Sequence, residues 1–261
     1  AFQSVKGMHH ILPKDGERWK TFIETGFQIA DLHDFTFMET PILEDASLFE
    51  SGIGLSTDIV EKQMYVFKTK SGERLALRPE GTAPIMRSYV EHHLGYYSSP
   101  LRVFYYGPMF RYERPHAGRY RQFHQWGVEI IGDAEPFYDT EIILVFMDFL
   151  KSLGVKEMRI GINTVGCRVC RPNYRKKLVG FFKSKKKELC ADCDRRYEKN
   201  PLRILDCKEE KCAELKKQAP IILDSLCQSC NTHFKGVLEL VEDCGIEYEP
   251  DPYLVRGLDY Y

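Results

Sequence analysis

Residues 104–132, FYYGPMFRYERPHAGRYRQFHQWGVEIIG, concentrate the side chains best suited to holding a charged ligand that carries a ring. The segment reads as two extended stretches joined by a basic loop containing Pro115 and Gly118. Successive strand residues point to opposite faces. Counted from Arg119, one face of the second stretch carries Arg119, Arg121, Phe123, Gln125, Gly127 and Glu129. The other carries His124, Trp126, Val128 and Ile130. The first face can hold an anion at its arginine end, stack a ring on Phe123 and bind a cation at Glu129. The second is the aromatic and aliphatic side that a core would take.

Two further constellations stand beside it. In Leu77-Arg78-Pro79-Glu80-Gly81-Thr82 a strand ends, proline and glycine turn the chain, and a helix begins near Thr82. Glu80 and Thr82 at such a junction can point into a cleft; alternatively Thr82 caps the helix and Glu80 favours its positive end. In Leu254-Val255-Arg256-Gly257-Leu258-Asp259-Tyr260-Tyr261, a glycine after the arginine lets the backbone approach a ligand. Tyr260 and Tyr261 offer hydroxyls on opposite faces. Arg111, Arg119, Arg121 and Arg256 can grip phosphate bidentately. The sequence has neither G-x-G-x-x-G nor G-x-x-x-x-G-K followed by Ser or Thr, which disfavours a dinucleotide-binding or P-loop site.

Ordered elements must position these groups. Asp15 opens an amphipathic run with Trp19, Phe22, Ile23, Phe27 and Ala30 at near-helical spacing, and Thr40-Pro41 breaks the pattern. Residues 64–69 and 74–78 are predicted strands around a turn at Lys70-Ser71-Gly72-Glu73. Residues 81–93 and 137–150 are predicted helices, and 158–162 a strand. The fold class is α+β. Composition shifts at Thr164: between 164 and 234 lie eight of the nine cysteines and a dense basic cluster. The predicted organisation is a core over 1–163, an inserted α-rich module over 164–235, and a return to the core over 236–261. That return is read as a short helix and an extended end.

Hydrophobic residues make up 43% and charged residues 29% of the 261 residues, as in a globular protein, and the net charge of −1 gives no whole-chain attraction to nucleic acid. No apolar run reaches the roughly 18 residues that span a bilayer, and the first residues lack the apolar stretch of a signal peptide. The cysteines therefore read as reduced thiols or metal ligands in the cytoplasm. Cys167-x2-Cys170, nineteen residues, then Cys190-x2-Cys193 has the spacing of a four-cysteine zinc site, and a small insertion with little apolar core has use for such a staple. The alternative is four thiols without metal. Cys207, Cys212, Cys227 and Cys230, with His233, form a looser second set, and Cys244 reads as an ordinary buried residue.

Taken together, FRYERPHAGRYRQFHQWGVEIIG resembles motif 2 of class II aminoacyl-tRNA synthetases in its histidyl form. ALRPEGT and LVRGLDYY resemble two further histidyl-tRNA synthetase signatures, and TPILEDASLF resembles motif 1 around Pro41. KGMHHILP resembles the family's start, with His10 where an acidic residue is usual. The matches run in family order over nearly the whole chain. The resemblance implies the class II core, an antiparallel sheet flanked by helices. It implies that Arg111 binds the α-phosphate of ATP, Glu113 lies near the adenine end, Phe123 stacks on adenine and Arg119 reaches the triphosphate tail. Glu80, Thr82 and Gln125 would hold the histidine α-amino group. Glu129 and the Tyr260-Tyr261 pair would read the imidazole, and Arg256 would stabilise the transferring phosphate opposite Arg111.

The implied reaction joins histidine to ATP, supplied with Mg2+, as histidyl-adenylate, and passes it to the 3′ end of tRNA(His). The attacking carboxylate is already ionised at neutral pH, so alignment and arginines aimed at the phosphorus oxygens carry the first step. The resemblance further implies a homodimer through motif 1 and an insertion that leans over the tRNA acceptor stem. Nine Lys or Arg and no acid between 168 and 187 would add salt-dependent phosphate contacts there. The loop 112–120 would touch the acceptor end itself. The family uses no zinc in catalysis, so a zinc in the insertion would be structural. A complete member continues through motif 3 and an anticodon-binding domain, so this chain reads as the N-terminal part of a catalytic domain, with full activity expected of a longer protein. The rivals are the histidine-sensing regulatory subunit of ATP phosphoribosyltransferase, which should have eroded arginines, and a zinc-dependent nucleic-acid-binding module, which leaves the strand face unexplained.

Overall fold

The computed structural model describes residues 2–53, 57 and 59–256. They divide into two compact units: residues up to Ala134 with Glu141–Lys156, and Glu135–Thr140 with the residues from Glu157 onward. Among the described residues the arrangement is the α+β one expected, largely antiparallel strands with flanking helices.

The first unit opens with α1 (Pro13–Leu32), which starts on a proline whose fixed φ suits a first helical turn. There follow β1 (Thr36–Phe37), β2 (Leu43–Asp45), α2 (Ala46–Ile53), β3 (Tyr65–Lys68), β4 (Arg74–Leu77), α3 (Thr82–Glu91), β5 (Leu101–Phe110), β6 (Gln122–Ile131) and α4 (Pro136–Ser152). β5 and β6 pair antiparallel from Leu101↔Ile131 to Phe110↔Gln122, with β1 parallel to β5 on the other side. β2, β4 and β3 form a second, antiparallel sheet in that order. The β3–β4 turn falls at the expected Lys70–Glu73 tetrapeptide, with Gly72 at φ +93, a conformation that glycine adopts without steric cost. Asp45 caps α2 by accepting the Ser47 N–H at 2.8 Å.

The predicted alternation holds along β6. Trp126, Val128 and Ile130 face a core made with Ile29 and Ala30 of α1, Phe104 of β5, and Val145 and Phe149 of α4. Trp126 stacks on Phe149 with ring centroids 4.4 Å apart. α1 comes so near that a Cβ on Gly26 would lie 2.8 Å from the Trp126 ring. Each such side chain contributes about 1.5–3 kcal/mol by leaving water. The strand itself starts later than the sequence reading has it. Arg119 and Arg121 precede Gln122 and lie in a tight loop, because Gly118, at φ +76, lets His116 and Arg119 bond each other's backbone.

The second unit comprises β7 (Ile160–Ile162), α5 (Cys170–Ser184), α6 (Ala191–Arg196), α7 (Leu202–Leu205), α8 (Glu210–Lys216), α9 (Gln228–Asp243) and β8 (Tyr248–Pro250), with β8 parallel to β7. Its interior corrects the expectation of little apolar core. Tyr174, Leu178 and Phe182 along one face of α5 join Leu189, Tyr197, Ile204, Leu205, Leu215 and Ile222 in a buried cluster. Helices α6, α7 and α8 are too short to display a period in sequence, yet each contributes a buried residue or two. The helix expected to be short near 237 is α9, sixteen residues long, because Phe234, Val237 and Val241 extend one buried stripe back through position 235. Cys244 ends that helix exposed rather than buried.

Candidate active site

In the first unit, β4 ends at Leu77 and α3 begins at Thr82, and the intervening turn carries the first acidic group of the site. Glu80 is buried, and its two carboxylate oxygens accept the backbone N–H groups of Thr82 at 2.6 Å and Ala83 at 3.0 Å. The carboxylate therefore satisfies first-turn amides of α3 that have no partner within the helix, and faces the positive end of its dipole. Thr82 does not cap the helix. Its hydroxyl instead donates to Glu129 Oε1 at 2.7 Å, across to β6.

Glu129 shares its strand face with Gln125 and Phe123, as period-two alternation requires. The Gln125 side-chain oxygen is buried with no hydrogen-bond partner among the described residues. A buried acceptor left unmade costs about 1–3 kcal/mol, so this oxygen is poised for a donor that arrives with a ligand. Tyr105 on β5 completes the group. Burial, reinforced by the negative charges of Glu129 and Glu80, pushes its phenol well above the ordinary tyrosine range and keeps it protonated. Its ring passes over Gly127, its partner across the strands, and over Gly81: a Cβ at either would come within 2.4–2.5 Å of it.

At the other end of the face, Arg111 follows β5. Its Nε donates to the Pro79 carbonyl at 2.9 Å, and its guanidinium lies 5.1 Å from the centre of the Phe123 ring. The arrangement sets a cation and an aromatic face side by side, which suits an anionic group joined to a planar base. Arg119 pairs with Glu113 at 2.9 Å and is 61% exposed. The Glu113 carboxylate is only 11% exposed, so the pair holds the arginine at the mouth of the nucleotide end from its buried side. Arg121, counted with the ligand face from sequence, instead ties the loop together: its Nε donates to the Glu113 carbonyl and its guanidinium covers the Tyr112 ring at 4.0 Å.

Beneath the site Arg78 is buried, donating to the carbonyls of Pro108 at 3.0 Å and Thr40 at 2.7 Å. Burial depresses its pKa from the usual arginine value. Gly107 makes room for it, since a Cβ there would fall 2.3 Å from the guanidinium. Sequence reasoning missed Arg78 and Tyr105. The signal for Tyr105 was present in the register: one large polar ring opposite a glycine on the ligand side of the hairpin.

In the second unit Arg256 is exposed, while Tyr260 and Tyr261 lie outside the described residues. The cysteines assort differently from the spacing-based set. Cys167 and Cys170 lie with Cys227 and Cys230, and Cys190 and Cys193 with Cys207 and Cys212, the sulfurs of each group all within 4.8 Å of one another. Cys167 and Cys170 are thus apart from Cys190 and Cys193, because α5 separates the two CxxC turns while the start of α9 returns to the first. Backbone hydrogen bonds to sulfur at Cys170 and Val169 lower the Cys167 thiol to about 6.

A family model described as histidyl-tRNA synthetase matches residues 7–261. The histidine–tRNA ligase of Halothermothrix orenii is 48% identical over 259 residues, covering 99% of this chain and 62% of that protein. That of Syntrophotalea carbinolica is 45% identical over 261 residues, covering 100% and 62%. The apo histidyl-tRNA synthetase structure from S. aureus matches at TM-score 0.77 and 35% identity, covering all of this chain and 60% of that one. A Bacillus halodurans structure titled ATP phosphoribosyltransferase regulatory subunit/histidyl-tRNA synthetase matches at TM-score 0.66 and 22% identity, covering 97% of this chain and 69% of that one, a likeness of fold. The chain spans 62% of the length of the two relatives. A single family match that takes in the Glu80 turn, the β6 face and the cysteine-bearing unit leaves no part of the site outside it, and the chain belongs to the histidyl-tRNA synthetase family.

Proposed function

We propose that this chain supplies the amino-acid-activating site of an enzyme that joins histidine to ATP, with Mg2+, and then to the 3′ end of tRNA(His). The observation that carries the reading is the buried, unpartnered Gln125 oxygen on the same strand face as Glu129, beside the Glu80 turn. Acceptors so grouped suit a cationic ammonium and an imidazole N–H. Gln125 and Glu80, with Thr82, take the histidine α-amino group, and Glu129 takes an imidazole nitrogen, with Tyr260 and Tyr261 assigned to the same ring by their motif. An amino acid lacking those donors leaves buried acceptors unmet, which favours histidine strongly.

Arg111 and Phe123 form the nucleotide end: Phe123 stacks on adenine and Arg111 binds the α-phosphate, with Glu113 near the adenine and Arg119 on the triphosphate. Because Arg111 is held through Nε, its other nitrogens keep a fixed aim, so charge on the phosphorus oxygens is met without reorganisation. The histidine carboxylate attacks the α-phosphorus and pyrophosphate leaves. Arg256 stabilises the transferring phosphate. No base is required, and burial keeps the Tyr105 phenol protonated, so it does not act as one.

Within the basic run 168–187, Arg171, Arg175 and Lys177 donate to backbone carbonyls and Lys185 and Lys186 pair with Glu188 and Asp194; the remaining four, Arg168, Lys176, Lys183 and Lys187, are exposed. The exposed four are assigned to tRNA phosphates, and the loop 112–120 to the acceptor end. Leu43 and Phe67, on one face of the β2–β4–β3 sheet, are 43–44% exposed, which supports a second copy of the chain as the partner of that face. The reading carries a cytoplasmic site of action with it. No described helix is long and apolar enough to cross a membrane. Histidine-dependent exchange of pyrophosphate into ATP by the full-length protein tests the reading. Exchange that histidine stimulates supports it; a protein that binds histidine without exchange would instead be a sensor of the regulatory-subunit kind.

A further inference from the structure

We propose that the second unit holds two structural zinc ions in nested all-cysteine sites, one formed by Cys167, Cys170, Cys227 and Cys230 and the other by Cys190, Cys193, Cys207 and Cys212. The inference is independent of the catalytic reading. Four tetrahedral ligands at a Zn–S distance of about 2.3 Å lie about 3.8 Å from one another, whereas a disulfide holds its sulfurs about 2.0 Å apart. The sulfurs of Cys167 and Cys170 are 3.6 Å apart, those of Cys167 and Cys227 3.9 Å, and those of Cys190 and Cys207 3.9 Å. All four in each group lie within 4.8 Å, a space that takes one ion and not a multi-iron cluster. Four thiolates select a soft, tetrahedral cation over magnesium or calcium.

The backbone is arranged for charged sulfur. Val169 N–H points to Cys167 Sγ at 3.4 Å, and Cys227 N–H to Cys170 Sγ at 3.0 Å. In the other group, Cys193 N–H meets Cys190 Sγ at 3.4 Å and Cys190 N–H meets Cys212 Sγ at 3.3 Å. In the first group α5 starts at Cys170, and α9 starts just after Cys227 with Cys230 in its first turn, so two helices turn their positive ends toward it. The outer site closes a loop between residues sixty apart and fastens the start of the helical module to its end. The inner site fastens the start of α6 to α8, through Cys212, and to the stretch before it, through Cys207. Metal binding releases the thiol protons to solvent, and its free energy adds to folding.

Zinc content of the intact protein and of two double variants tests both the metal and the pairing. The unaltered chain, grown with zinc and passed over a chelating resin, should carry two ions. Cys167→Ser/Cys227→Ser alters only the outer site and should retain one ion. Cys167→Ser/Cys190→Ser alters both sites and should retain none. Pairing in sequence order, with Cys167, Cys170, Cys190 and Cys193 together, predicts the reverse for the two variants and would overturn the assignment. So would iron in place of zinc, or a folded unaltered chain with one ion or none. Should the variants fail to fold, cadmium-113 resonances of the unaltered chain decide the ion count and ligand type: two all-thiolate signals support the proposal, and one signal or a mixed nitrogen–sulfur shift contradicts it.

Discussion

The Thr82 hydroxyl donates to Glu129 Oε1 at 2.7 Å, joining the first residue of α3 to the ligand face of β6. With the Glu80 carboxylate bound to the amides of Thr82 and Ala83, the turn, the helix and the strand hold one another in place. The site is therefore aligned before any ligand arrives, which is the condition for catalysis by positioning.

Replacing Thr82 by valine keeps the shape and removes that hydrogen bond. A bond to a charged acceptor contributes about 1.5–3 kcal/mol, so the KM for histidine should rise roughly 10- to 100-fold in the full-length enzyme. The KM for ATP should stay nearly constant. Steady-state pyrophosphate exchange separates the two, and an equal rise in both would contradict the assignment of Glu129 to histidine.

Gly127 exists for the Tyr105 ring. A Cβ at 127 would lie 2.5 Å from it, so Gly127→Ala should cost about 1–3 kcal/mol of stability, or roughly 3–10 °C in Tm. In a Tyr105→Ala background the same Gly127→Ala change should cost much less than in the unaltered chain, because the clash is with a side chain. An equal cost in both backgrounds would place the strain in the backbone instead.

Arg78 should not tolerate lysine. A single ammonium cannot reach both the Thr40 and Pro108 carbonyls in the fork geometry of the guanidinium, and one acceptor is left buried at a cost of about 1–3 kcal/mol. Thermal melts of Arg78→Lys should show the loss, with pyrophosphate exchange at low temperature largely retained.

Reversing Lys176, Lys183 and Lys187 to glutamate should weaken tRNA binding without changing pyrophosphate exchange. If each lysine neutralises one phosphate, the slope of log affinity against log salt should flatten by about 2–3. An unchanged slope would remove these lysines from the tRNA contacts.

The ligand face of β6 was legible because residues 123–129 lie on one regular strand, where a period of two needs no further information. Arg119 and Arg121 were not, since a single glycine with positive φ moves them off the strand and gives Arg121 a structural task. The Thr82–Glu129 bond joins residues 47 apart, and nothing local to the RPEGT turn distinguishes a hydroxyl that caps a helix from one that reaches across to a strand. The cysteines make the same point. Each CxxC turn is local and readable, but which two turns meet depends on α5 and α9, and the buried positions of α6 to α8 carry no period to reveal that packing.

The most direct test is calorimetric titration of a non-hydrolysable histidyl-adenylate analogue into the full-length protein and its Glu129→Ala, Arg111→Ala and Arg256→Ala variants. The account predicts tight binding to the unaltered protein and loss with every variant. Glu129→Ala should also lose affinity for histidine alone, and Arg111→Ala for ATP alone. Analogue binding that survives the loss of Glu129 would contradict the central claim that this strand face reads histidine.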